Sequence, residues 1–110
     1  MKQSVNILGT EYEIISQTEE ENPKLEDLDG LCEIYSKKIV LCDIKPDKNT
    51  VENFEAYKRK VLRHEIVHAF LEESGLSCNT DWARNEEMVD WIAIQFPKML
   101  KAFESLNILD

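Results

Sequence analysis

Glycine and proline are scarce in this chain. Three of each in 110 residues exclude collagen-like repeats and long low-complexity linkers. Cysteine is equally thin. Cys32, Cys42 and Cys78 form no Cys-x-x-Cys pair, and an odd number without an export signal points to reduced thiols, by default buried as small hydrophobes. Positive charge is in deficit: 13 Lys and Arg stand against 22 Asp and Glu, a net charge of −9. Such a surface repels phosphate, which argues against direct nucleic-acid or anionic-membrane binding. No uncharged stretch approaches the ~20 residues that cross a bilayer. The first six residues, Met1-Lys2-Gln3-Ser4-Val5-Asn6, lack an apolar core and a small-residue cleavage site, so no signal peptide is expected and the default location is the cytoplasm.

What remains is an ordinary globular balance, with 43% apolar residues available for a core that needs no disulfide staples. The length suits a single domain over 1–110. Val5 and Ile7, then Tyr12 and Ile14, alternate around Gly9-Thr10 and predict a first strand or hairpin. Residues 16–30 are polar and acidic and read as a loop, with one helical turn near Leu25–Leu28. The apolar runs 31–35 and 39–44 flank Ser36-Lys37-Lys38 and predict a second hairpin. A three-residue loop would set Cys32 opposite Cys42, and a one-residue slip would part them, so the register stays open. Pro46 to Asn49 break the pattern, Thr50 offers an N-cap, and residues 51–74 read as a long helix stopped by Gly75. After a connection over 76–80, a second helical region spans 81–107. Its stripe of Val89, Ile92, Ala93, Phe96, Leu100 and Phe103 is expected in the core, as are Trp82 and Trp91. Pro97 should kink or divide it.

The long helix carries His64-Glu65-Ile66-Val67-His68, and these are the only two histidines in the chain. Four residues apart on a helix, both imidazoles reach one ion at about 2.0–2.1 Å. Glu65 emerges beside that position without joining the row, where it can hydrogen-bond a metal-bound water. A catalytic zinc usually takes a third protein ligand and keeps one position open. Glu86 and Asp90 share a face of the second helical region. If the two helices run antiparallel, Glu86 returns to the histidines as a ligand and Asp90 can orient an imidazole. Glu87 competes if that helix is rotated.

His64-Glu65-Ile66-Val67-His68 followed by Asn85-Glu86-Glu87-Met88-Val89-Asp90 resembles the HExxH…NExxxD pattern of gluzincins, the thermolysin-like zinc peptidases. The small size and the upstream hairpin are more similar to ImmA/IrrE-type metallopeptidase domains of phages and mobile elements, and to minimal gluzincins. The resemblance covers about residues 30–100. It implies zinc held by His64, His68 and Glu86, with Glu65 as general base and Asp90 behind His64. The chain departs from the pattern in lacking a third histidine for the oxyanion, for which Tyr35 and Tyr57 are the candidate substitutes. It also lacks a helix-turn-helix, so any DNA-binding regulator would be a separate protein.

The resulting expectation is an α+β, zincin-like fold in which a small antiparallel sheet of about three strands packs on the HExxH helix and a C-terminal helical region. Its function would be zinc-dependent hydrolysis of a peptide bond in a cytoplasmic phage or host protein. A peptide substrate could add as a strand to the hairpin edge. Two other readings stand beside this one. A deformylase-like amide hydrolase would recruit Cys32 or Cys42 as a ligand, although the local Asp29-Gly30-Leu31-Cys32-Glu33 differs from that family's motif. A non-catalytic module would bind zinc to hold a partner. Donor type alone leaves Mn, Co and Ni open in place of Zn.

Overall fold

Alternation of Val5, Ile7, Tyr12 and Ile14 builds the first hairpin of the computed structural model, which describes residues 3–45, 47–48, 50 and 52–110. Strands β1 (Gln3–Ile7) and β2 (Thr10–Gln17) pair antiparallel, with Ile7 opposite Thr10. Between them Leu8 and Gly9 both have positive φ, 50° and 94°, as a two-residue turn that follows strand twist requires. Strand β2 runs further into the acidic segment than its composition suggests. The one helical turn there is a 3-10 turn at Pro23–Leu25, capped by the Asn22 side chain, and it buries Leu25.

Strands β3 (Gly30–Glu33) and β4 (Lys38–Cys42) form the second hairpin. Its connection has four residues, with Lys37 at φ 56°, and it sets Cys32 opposite Ile39. Cys42 lies beyond that, its amide donating to the Asp29 carbonyl, so the two thiols are not cross-strand partners. The sheet is a four-stranded mixed one of order β1-β2-β4-β3, in which β2 and β4 run parallel. This corrects the expected all-antiparallel sheet. Ile39, Val40 and Leu41 are apolar on both faces, which suits an interior strand. β4 therefore takes the inner position and β3 the edge.

Helix α1 (Phe54–Glu73) covers one face of the sheet. Ile7, Tyr12, Ile39 and Ala69 form its core, joined by Ile14, Leu41, Leu62 and Ile66. The N-cap is Asn53, whose side chain accepts from the Ala56 amide at 3.2 Å. Thr50 instead accepts from the Asp47 amide at 2.8 Å and belongs to the preceding turn. Pro46, Asn49 and Val51, named in the sequence reading, lie outside the described residues. At the other end of α1, Glu73 accepts from Tyr12 Oη at 2.8 Å, Lys37 Nζ at 2.6 Å and Thr10 Oγ1 at 3.2 Å. The fully buried Tyr12 ring thereby keeps its hydroxyl satisfied.

Gly75, at φ 85°, turns the chain into the short helix α2 (Leu76–Asn79) and a 3-10 turn at Asp81–Arg84. The second long helix, α3 (Glu86–Ser105), starts five residues later than the sequence pattern predicts. Asn85 caps it by accepting from the Met88 amide at 2.8 Å. Pro97 does not divide it. A proline at 97 leaves the Ala93 carbonyl without its helical donor, and Arg63 Nε on α1 donates to that carbonyl at 2.7 Å. Val89 is buried with Leu71 and Ala83, and Ala93 is buried too. The rest of the expected stripe is not core: Phe96 is 49% and Phe103 38% exposed, and Trp82 and Trp91 are more than half exposed. Among the described residues, no helix is long and apolar enough to cross a membrane.

Two measurements follow from these contacts. Arg63→Met should cost roughly 1–2 kcal/mol in urea unfolding, because it strands the Ala93 carbonyl. In a Pro97→Ala background, where residue 97 regains its N–H, the same change should cost measurably less. Hydrogen bonds from Lys37 first, and Tyr12 next, hold the Glu73 carboxyl below its ordinary value of 4.5. The stabilisation is present above that value and lost as pH falls through the lower folded-state value. Glu73→Gln should therefore lower the urea midpoint at neutral pH, with the gap to the native chain closing in acid.

Candidate metal centre

On α1, Lys60, His64, His68 and Glu72 repeat every fourth residue and so share one face. Glu86, the first residue of α3, meets that face. Its Oε2 lies 3.1 Å from His64 Nε2 and its Oε1 lies 2.7 Å from His68 Nε2. The two rings stand edge to face with centroids 4.9 Å apart. One ligand atom from each of the three residues falls within 4.8 Å of the others, and among the described residues this is the one such group. Donors around a tetrahedral ion with bonds of about 2.0–2.2 Å are separated by roughly 3.3–3.6 Å. A small outward shift of Glu86 meets that spacing.

The chemistry of the donor set also fits a cation. His64 Nδ1 lies 2.9 Å from Asp90 Oδ1, so each nitrogen of one imidazole faces a carboxylate oxygen. A neutral ring has one N–H. With Nδ1–H donating to Asp90, only an added proton or a cation resolves the Nε2–Glu86 contact. Asp90 also accepts from Lys60 Nζ at 3.0 Å. Burial works against its charge, yet the bonds from His64 and Lys60 hold its carboxyl below the usual range. Burial pushes the pKa of His68 down, against the pull of Glu86, and so favours the neutral form that ligates metal.

Glu65 is 7% exposed. Its carboxylate takes no hydrogen bond from the described residues, yet no fully sealed side-chain oxygen there lacks a partner. Its oxygens therefore open onto the cleft that it lines with His68 and Glu86. Burial raises its pKa to about 7, with Glu86 adding to the rise and His64 opposing it. The cleft, of about 500 Å³, is bounded by Leu28, Leu31 and Cys32 on the β3 side and by Ser77 and Arg84 on the other. Gly30 makes the close approach of β3 feasible. A Cβ there would stand 3.0 Å from Val61 Cγ1 and 3.3 Å from Glu65 Cγ. A lone glycine opening a strand was the available signal for it.

The other sequence candidates fall elsewhere. Tyr35 is 95% exposed in the β3–β4 turn and does not line the cleft. Tyr57 donates to Asp29 Oδ2; that bond, and then burial, push its hydroxyl to about 12. It lines a separate cavity and approaches the centre only through Lys60, whose Nζ lies 5.2 Å from its ring centroid. Glu87 is exposed and outside the group. Cys32 lines the cleft, with its thiol pushed up to about 12 by burial and then by Glu65. It also stands outside the group, which weighs against a cysteine ligand. Lys60 was missed, although its place in the four-residue row pointed to it.

Chelator-competition titration with Zn²⁺ or Co²⁺ should show Glu86→Ala binding at least tenfold more weakly and Glu87→Ala binding unchanged. Asp90→Asn should weaken binding by about 10–100-fold, the range typical of partners behind a ligand histidine. In comparisons with known proteins, the chain matches no family model, no curated protein and no solved structure.

Proposed function

We propose that this chain is a zinc-dependent hydrolase of peptide bonds, of the gluzincin type and similar to ImmA/IrrE-type metallopeptidases, acting on a protein or peptide substrate. The observation that carries the reading is Glu65. A carboxylate placed in a cleft wall, buried and without a hydrogen bond, beside two imidazoles and a third carboxylate, costs stability and has no structural partner to offset it. Its pKa of about 7 matches that of a general base working near neutrality.

His64, His68 and Glu86 would hold the zinc, and Asp90, steadied by Lys60, would fix the ring of His64. The ion would supply Lewis acidity at the carbonyl under attack. Glu65 would take a proton from the attacking water and return it to the leaving amine. β3 has β4 on one side only, so its free edge can receive an extended peptide beside Glu65 through main-chain hydrogen bonds. Leu28, Leu31 and Ile34 line the same cleft and would receive apolar side chains. No tyrosine or third histidine reaches it, which leaves the ion itself as the chief support for the oxyanion.

Glu65→Gln keeps the shape of the side chain and removes the base. The variant should retain stoichiometric zinc and lose at least about a hundredfold in cleavage of a denatured-protein or peptide-library substrate. Equal cleavage by the variant would remove Glu65 from the reaction. Tight zinc with no cleavage by the native chain would favour the non-catalytic binding reading.

A further inference from the structure

The apolar face that seats Val89 against its neighbours continues past them along α3. Ile92, Phe96, Met99, Phe103 and Leu106 follow Val89 at spacings of three, four, three, four and three residues. This alternation is that of the a and d positions of a coiled-coil seam. Val89 is fully buried, whereas Phe96, Met99, Phe103 and Leu106 are 49%, 38%, 38% and 70% exposed. The flanking positions carry Ala93, Gln95, Leu100 and Ala102, all uncharged. α3 stays helical to Ser105 although every residue from 101 to 110 is exposed. A helical end without packing is marginal in water.

Charge identifies the occupant. Residues 91–109 contain Lys98, Lys101 and Glu104 as their only charged side chains, so they carry 2 − 1 = +1 in a chain of net −9. The rest of the molecule therefore carries −10, and two copies repel through most other surfaces. We propose that this face pairs with the same face of a second copy, the two α3 segments running antiparallel about a two-fold axis near Lys101. Phe96 then lies level with Leu106 of the second copy and Met99 with its Phe103, an a position meeting a d position in each layer. Lys98 lies level with Glu104 of the second copy. A parallel pair would set Lys98 beside Lys98 and bring both acidic bodies to one end. The antiparallel pair sends them to opposite ends. The surface is separate from the metal group, and the proposal holds whether or not the protein is a hydrolase.

Analytical ultracentrifugation of the full chain between about 1 and 100 µM tests the pairing. The native protein should approach twice 12.8 kDa at the upper end. Phe96→Glu combined with Phe103→Glu should stay monomeric, with unchanged helical circular dichroism and unchanged Co²⁺ affinity. Lys98→Glu alone should raise the dimer dissociation constant about tenfold, and adding Glu104→Lys should restore it. That charge-swap pair tests the seam even if the double glutamate variant fails to fold. A native chain that remains monomeric throughout overturns the proposal, whatever other helix or surface covers the face. So does a well-folded double glutamate variant that still dimerises. Failure of the charge swap to restore association overturns the antiparallel register.

Discussion

The structure turns on one carboxylate reaching across from another helix. Glu86 touches the Nε2 atoms of both His64 and His68, and those distances exist only while α1 and α3 hold their relative position. Several features fix that position. Gly75 and the two short turns after it reverse the chain in few residues. Asn85 starts α3 at Glu86. Val89 packs with Leu71 and Ala83, and Arg63 bonds the carbonyl that Pro97 leaves open. The centre is thus held by ordinary packing and capping in addition to its own contacts, which gives it a rigid frame before any ligand arrives.

A second constraint acts on Glu65 from the sheet side. Gly30 lets β3 pass close enough to bury that carboxyl, and burial lifts its pKa. The same strand is the open edge of the sheet. One residue without a side chain thereby couples two properties: a poised carboxylate and an adjacent line of free main-chain groups. Local rules are broken here, by a buried acid without a partner, while they are kept at Tyr12 and Glu73, where every buried polar group is matched. That contrast is what marks a functional surface off from a core.

α3 divides between two tasks along its length. Its first turns present Glu86 and Asp90 to α1, and its last turns carry an apolar seam with little charge. The acidic character of the chain bears on both. It leaves Lys60 as the cation that balances Asp90, and it makes the weakly charged seam the surface on which like molecules can meet.

The sequence by itself determined what is periodic and local. The row of His64 and His68, the pairing of Glu86 with Asp90 on one helical face, both hairpins and the stop at Gly75 all follow from spacing and from turn chemistry over a few residues. What depended on distant parts of the chain was decided by the tertiary structure. The parallel contact of β2 with β4 and the parting of Cys32 from Cys42 depend on which strands meet, and hydrophobic pattern does not encode that. The stripe of α3 reads alike over Val89 and Phe103, because periodicity reports which face is apolar and not how far a neighbour extends to cover it. Tyr35 and Tyr57 were candidates by residue type alone; the turn that holds one and the Asp29 bond that holds the other keep both off the cleft. Arg63 at Ala93 was invisible for the same reason, since a side chain that completes another helix's hydrogen bonding is known only once the two helices are side by side.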